Sequence, residues 1–378
     1  MKERLKFFLV AGEPSGDLHG AKLIKAIRSS NPFTSFVGHG GSLMEEEGME
    51  IIEHINRLSV MGFKEVVVHL PRIWKIMINT ISFIEKLKPD RIILIDYPGF
   101  NLRLAKSISK LKIPISYFIL PQAWAWKRKR VELVKKYCDQ TYSLFPFEKS
   151  WYNSKGVNTK FFGHPFMNVE PLHETRAQFF KKHNLNQKNK LIALLPGSRQ
   201  QEIIKHWSVY IKTITLLRKE FPTLQVVIAK SDNTNFPLLD KSFKVEKNAK
   251  IAIIASDIAL VASGTATLEC AIEETPFVTC YKVSWLTWIL AKYLVEVKYS
   301  SIVNLIANKE VVPEFLQYKM KPENIKNKLV ELLNEKSKLR NQMLDEFANI
   351  KEKLGSPGVY IKVASDILKA TERKDQSL

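Results

Sequence analysis

Several short segments of the sequence carry residues whose types and spacing suit chemistry on a phosphorylated, hydroxyl-bearing substrate. In Gly12-Glu-Pro-Ser-Gly-Asp-Leu-His-Gly20 the glycines permit close backbone approach. Ser15, Asp17 and His19 could face a ligand where a helix start offers unpaired amides to an anion. A tight turn capped by Asp17 fits the same residues equally well. The spacing matches neither the Gly-x-Gly-x-x-Gly dinucleotide fingerprint nor a phosphate loop ending in Gly-Lys-Ser/Thr, so nicotinamide and ATP sites gain no support. In Asp96-Tyr-Pro-Gly-Phe-Asn101, after an apolar run, Asp96 could take a proton from an acceptor hydroxyl or cap the following segment, and Asn101 could cap as well.

Further along, Pro121-Gln-Ala-Trp-Ala-Trp-Lys-Arg-Lys-Arg130 joins two indoles to four cations. That mixture suits a phosphate beside a sugar or lipid surface, with Arg128 and Lys129 as the contacts, or else a solvated basic helix with its indoles turned inward. Leu194-Leu-Pro-Gly-Ser-Arg-Gln200 puts Arg199 on a turn before a helix, where it could neutralise a diphosphate leaving group or sit in a surface ion pair. In Ser263-Gly-Thr-Ala-Thr-Leu-Glu269, the residues Ser263, Gly264, Thr265 and Thr267 could surround a phosphate while Glu269 accepts ribose hydroxyl hydrogens; helix capping by Thr265 is the alternative. Asn304 could orient a nucleotide or cap a helix. The eight histidines form no His-Glu-x-x-His pattern, and no Cys-x-x-Cys pair occurs, so no catalytic metal and no cofactor are expected.

The elements that must position these groups follow from the hydrophobic pattern. Apolar runs at residues 7–11, 92–96, 115–120 and 141–144 each precede turn residues and a helical stretch, with helices expected after Asp17, near Phe100 and near Lys127. A second series at 191–195, 225–229, 251–254, 258–262 and 277–280 predicts another parallel sheet. The class is therefore α/β, with an N-terminal domain over 1–168, a charged linker over 169–188, a second domain over 189–350, and a C-terminal segment, 351–378, whose helix from Val359 packs back on the first domain. A cleft between the two α/β domains is the expected site. The 378 residues suffice for that plan; the net charge of +20 favours anionic partners, and nucleic acid is not expected because no recognised binding motif accompanies the charge. Three scattered cysteines fit a reducing compartment. No apolar run reaches the roughly 20 residues that a membrane-spanning helix needs.

Taken in order, Gly12-Glu-Pro-Ser-Gly-Asp17, Met61-Gly62, residues 121–126, Leu144-Phe-Pro-Phe-Glu148, Phe162-Gly-His-Pro165, Leu195-Pro-Gly-Ser-Arg199, residues 263–269 and Val312-Pro-Glu-Phe-Leu-Gln317 resemble the lipid-A-disaccharide synthase family over almost the whole chain. The resemblance implies a metal-independent, inverting GT-B glycosyltransferase with two Rossmann-like domains facing an interdomain cleft. Its implied reaction moves 2,3-diacylglucosamine from an acylated UDP-glucosamine donor to the 6-hydroxyl of 2,3-diacylglucosamine 1-phosphate, giving a β-1,6-linked disaccharide phosphate and UDP. Arg199 and residues 263–267 would then serve UDP, with Glu269 and Asn304 orienting the nucleotide. Where the family often has a second acid, this chain has Gly99, so Asp96 becomes the expected base, with Ser15, Asp17 and His19 positioning the acceptor. The resemblance also implies work at the anionic cytoplasmic face of a Gram-negative inner membrane, and allows a homodimer that exchanges C-terminal helices. Another UDP-sugar GT-B transferase, a UDP-sugar epimerase, or a non-catalytic basic membrane- or nucleic-acid-binding protein are the competing readings.

Overall fold

A computed structural model describes residues 4–58, 63–168, 174–231, 234–237, 240–285, 288 and 297–375. The chain divides into two compact units, residues 1–168 with 355–378, and residues 169–354. The first unit begins β1 (Lys6–Val10), α1 (Pro14–Ser30), β2 (Ser35–Gly40), α2 (Ser42–Glu46), β3 (Glu50–His54), α3 (Ile55–Leu58) and α4 (Phe63–Leu87). It continues with β4 (Arg91–Ile95), α5 (Pro98–Ser107), β5 (Ile115–Phe118), α6 (Arg130–Tyr137), β6 (Gln140–Tyr142), α7 (Pro146–Ser154) and β7 (Thr159–Lys160). All seven strands are parallel, in the order β3-β2-β1-β4-β5-β6-β7. Strand order reverses between β1 and β4, where open α/β sheets present ligand groups at the strand ends.

The second unit holds α8 (Arg176–Lys182), β8 (Leu191–Leu195), α9 (Gln200–Glu220), β9 (Gln225–Ala229), β10 (Lys244–Glu246), α10 (Ala249–Ala255), β11 (Ile258–Ala262), α11 (Thr265–Ile272) and β12 (Phe277–Tyr281). After it come α12 (Ile302–Ala307), β13 (Glu314–Leu316), α13 (Pro322–Leu333) and α14 (Lys338–Lys353). Its six parallel strands run β10-β9-β8-β11-β12-β13, with the reversal between β8 and β11. The last helix, α15 (Val359–Asp375), belongs to the first unit, where Tyr360, Val363 and Ile367 share a core cluster with Leu23, Ile24 and Ile27 of α1. A polar network fixes it sideways: Asp366 pairs with Lys160 Nζ at 2.6 Å and accepts from Tyr142 Oη at 2.8 Å, while the buried Arg91 donates through Nε to Thr371 Oγ1 at 2.7 Å.

The α/β class with two parallel sheets is the one expected from the sequence. Residues 251–254 are not a strand: the Asn248 side chain accepts from the amides of Lys250 and Ile251 and starts α10 instead. A four-residue apolar run reads the same on a buried helix face as on a buried strand. Within the stretch expected as a linker, Thr175 caps α8, whose Phe179 and Phe180 are 1% and 0% exposed, so that part is core of the second unit. β2, β3, β7, β10 and β13 were not anticipated; β3 and β13 are only half-buried and β7 has two residues, too little for an apolar signature.

Candidate functional site

In the second unit, a cavity of about 390 Å³ opens at the C-terminal ends of β8, β9, β11 and β12. Leu195, Gly197, Ser198 and Arg199 line it after β8, Lys230 and Ser231 after β9, residues 263–266 with Glu269 after β11, and Tyr281 at the end of β12. Sheet order puts it at the reversal point, the place the topology favours for a nucleotide. Two helix starts flank it, because β8 runs into α9 and β11 into α11 within a few residues. The α9 start is fixed by Glu202, whose Oε2 accepts the amides of Ser198 and Arg199 at 3.1 and 3.2 Å. That leaves the exposed Arg199 guanidinium to the cavity mouth. At Gly264 the backbone turns with φ +158°, and a Cβ there would meet nothing within 4 Å. The space a side chain would fill is therefore open to a ligand lying on the first amides of α11. Burial raises the Glu269 carboxyl above its usual range, with Lys250 opposing that effect.

The remaining expected contacts here have other partners. Thr267 is fully buried and donates through Oγ1 to the Gly264 carbonyl at 2.7 Å, shaping the turn rather than touching the cavity. Ser263 lines the cavity, but its hydroxyl donates to the Ser300 carbonyl and accepts from Ser300 Oγ, each at 2.9 Å. Asn304 is 0% exposed and fully engaged. It donates to Val312 O and Glu314 Oε1, and accepts from the amides of Val311 and Val312, all between 2.8 and 2.9 Å. It braces the approach to β13, which in turn holds Ser300 through Glu314. Lys230 and Lys247, which sequence reading missed because neither sits in a motif, add positive charge to the lining. His206, also missed, ties two rims together: its ring Nδ1 pairs with Pro196 O at 2.8 Å and Nε2 accepts the Lys282 amide at 3.0 Å.

At the strand reversal of the first unit, Asp96 and Tyr97 both adopt left-handed backbone, φ 44° and 48°. Such conformations cost roughly 1–2 kcal/mol per non-glycine residue, so the surroundings must hold them. They do: Asn101 Nδ2 and Tyr117 Oη donate to the Asp96 carbonyl at 2.7 and 2.8 Å, and Tyr97 Oη donates to Leu58 O at 2.9 Å. Gly12 is required by the same arrangement, because a Cβ there would lie 2.3 Å from the Tyr97 ring. Burial, and next the charge of Glu13, push the Asp96 carboxyl up to about 6, while Arg130 draws it down. An acid so placed is ionised at neutral pH yet more basic than a solvated aspartate, which suits proton abstraction. A Cβ at Gly99 would meet nothing within 4 Å, so the missing acid leaves open space.

Helix α1 begins at Pro14, earlier than expected, and carries Ser15, Asp17 and His19 on its first two turns. Ser15 is exposed. Asp17 is not a ligand group: at 4% exposure it accepts from the amides of Gly41, Leu43 and Met44 at 2.7, 3.2 and 3.1 Å and so caps α2. His19 Nδ1 pairs with Tyr360 Oη of α15 at 2.8 Å, and burial followed by the charge of Lys22 lowers its pKa to about 4, so the ring is neutral. In the basic run, Trp124 is turned inward and Trp126 outward, 38% exposed, beneath Lys127 Nζ at 4.4 Å and the Arg130 guanidinium at 5.0 Å. Arg128 and Lys129 are exposed. Glu13, Arg130 and Glu148 fall in quoted motifs, but their proximity to Asp96 was not anticipated, since closeness across strand ends leaves no local signal.

Residues 7–358 match the family described as Lipid-A-disaccharide synthetase. A lipid-A-disaccharide synthase of Myxococcus xanthus is 35% identical over 96% of this chain and 97% of its own, and lipid-A-disaccharide synthase 1 of Legionella pneumophila is 36% identical over 94% and 95%. The chain belongs to the lipid-A-disaccharide synthase family. It is an enzyme, a glycosyltransferase of lipid A disaccharide synthesis. The fold agrees: the glycotransferase of kitacinnamycin superposes with a TM-score of 0.68 at 12% identity, covering 98% of this chain and all of that one. A UDP-GlcNAc 2-epimerase from Neisseria meningitidis bound to UDP-GlcNAc gives 0.60 at 14%, with 98% of this chain and all of that one covered. GT-B transferases and epimerases thus share the architecture, and only the sequence relatives separate them. Among the described residues no helix is long and apolar enough to cross a membrane, and no group of three or more His, Cys, Asp or Glu side chains could hold a metal ion.

Proposed function

We propose that the second unit binds an acylated UDP-glucosamine donor and the first unit an acylated glucosamine 1-phosphate, and that Asp96 takes the proton of the acceptor's 6-hydroxyl as its oxygen attacks the anomeric carbon. The carbon–oxygen bond to UDP breaks on the opposite face, so the configuration inverts and a β-1,6 link forms. Negative charge then grows on the departing diphosphate. Arg199 and the first amides of α11 at Gly264 and Thr265 meet it, and no metal is invoked. Glu269 accepts the ribose hydroxyls. Arg128 and Lys129 receive the acceptor's phosphate. Ser15 and His19 stand beside the sugar, and Asp17, Ser263, Thr267 and Asn304 act by holding the turns rather than by contact. The observation that supports the reading is the paired design of the two strand reversals: a glycine-opened helix start beside Arg199 in one unit, and a partly buried carboxylate on a clamped turn in the other.

The lipid tails call for an apolar surface. On α4, Leu70, Trp74 and Ile78 are 46%, 70% and 46% exposed at spacings of four, so they share one face, with the exposed cation Lys75 at its edge. That face and the exposed Trp285 suit an anionic membrane surface. The side chains of residues 63–69 and most of 286–294 lie outside the described residues. Incubation of the purified protein with UDP-diacylglucosamine and diacylglucosamine 1-phosphate in the presence of a chelator tests the reading. Mass detection should find UDP and the tetraacyl disaccharide phosphate in equal amounts. Release of UDP without disaccharide, or no reaction until a divalent metal is restored, contradicts it.

A further inference from the structure

Glu148, at 1% exposure, is a deeply buried acid in the first unit, and the transfer chemistry gives it no substrate to touch. Its Oε2 accepts the amides of Leu144 and Phe145 at 2.9 and 3.0 Å, which is all that starting α7 requires. The second oxygen does something else: Oε1 accepts the indole N–H of Trp124, 24 residues upstream, at 2.8 Å. One turn farther along α7, Tyr152 donates through Oη to Pro121 O at 2.6 Å. Helix α7 therefore grips both ends of the segment from Pro121 to Trp124. Trp124 also packs edge-on against Phe147, with ring centroids 4.9 Å apart. Beyond this anchored segment the chain turns at Lys127, φ 54°, and Lys127 and Arg130 stand over the Trp126 ring. Arg130 is close enough to Asp96 to draw its carboxyl down.

A cap alone accounts for only one oxygen of this buried acid: the third donor, the Trp124 indole, comes from 24 residues upstream and ties α7 to the segment that leads into the basic run. We propose that Glu148 and Trp124 form a brace that sets the position of the basic run 127–130 beside Asp96, making both positioning residues for the acceptor's phosphate. The inference rests on the reading that Arg128 and Lys129 hold that phosphate.

Trp124→Phe removes the indole donor while leaving a ring against Phe147 and the cap of α7 in place. Its Michaelis constant for the acceptor should rise about tenfold with the constant for the UDP donor unchanged, while the thermal midpoint falls because the buried Oε1 of Glu148 loses its donor. In an Arg128→Ala/Lys129→Ala background the same change should add little further, because the brace then has no cations to place. An unchanged acceptor constant in Trp124→Phe overturns the brace, as does a full additive effect in the doubly substituted background. If removing the two cations itself leaves the acceptor constant unchanged, the reading of the phosphate site fails and the brace falls with it.

Discussion

In the proposed mechanism Asp96 is the residue on which turnover depends most. It must be ionised to accept a proton, and its carboxyl is pushed up to about 6 by burial first and by Glu13 second. The ratio kcat/KM should accordingly fall about tenfold per pH unit below pH 6, and an Asp96→Asn variant should lose about 10²- to 10⁴-fold in kcat while still binding UDP. A variant that retains the acid limb would exclude Asp96 as the titrating group. Asn304 makes the opposite case, since an alanine there strands the amides of Val311 and Val312. The expected loss is roughly 1–3 kcal/mol for each, seen as a lower denaturation midpoint. Residue type in the sequence singled out both Asp96 and Asn304 as polar candidates. It could not tell which of the two lies at a strand-end turn and which braces the chain from inside, because partners 21 residues away (Tyr117 for the Asp96 carbonyl) or eight away (Val312 for Asn304) are set by the fold.

At the scale of elements, the strand ends were readable and their edges were not. β8, β9 and β11 match the expected spans because central strands buried on both faces are continuous apolar runs. α10 was misread because Asn248, which starts it, lies before the apolar run and looks like any loop residue. The turn from β4 to α5 shows what an element can tolerate. Since a Cβ at Gly99 meets open space, Gly99→Asp should keep the denaturation midpoint within about 0.5 kcal/mol of the parent. A large loss of stability would mean that the turn has no room for the second acid. His206 belongs to this scale too, because it joins the β8 turn to the residue after β12, and both line or border the cavity. His206→Ala should weaken UDP binding without touching UDP, measurable by calorimetry.

For the molecule as a whole, buried histidines set the acid limit. Burial holds His19 at about 4 and His39 and His164 at about 3, so between their ordinary value of 6.5 and those values the unfolded chain takes up protons that the folded unit refuses. Stability contributed this way is complete above pH 6.5 and lost as the pH falls. Asp96 at about 6 and Glu148 at about 7 act in the reverse sense, since the folded unit keeps protons that unfolded carboxyls release, but two acids do not offset three histidines. The urea midpoint should therefore drop between pH 7 and 4.5, and a rise over that range would contradict the balance. Domain number and the α/β layering were legible from periodicity. The return of α15 to the first unit rests on long-range contacts such as those of Asp366 and Thr371, visible in the sequence only as a helical pattern after Gly358.

If the departing nucleotide lies on the strand ends of the second unit as proposed, a structure of the UDP complex will show it there. The diphosphate should sit within hydrogen-bond reach of the amides at Gly264 and Thr265 and of the Arg199 guanidinium, with the ribose beside Glu269. A uridine diphosphate found away from β8 and β11, with that cavity empty, would contradict the account.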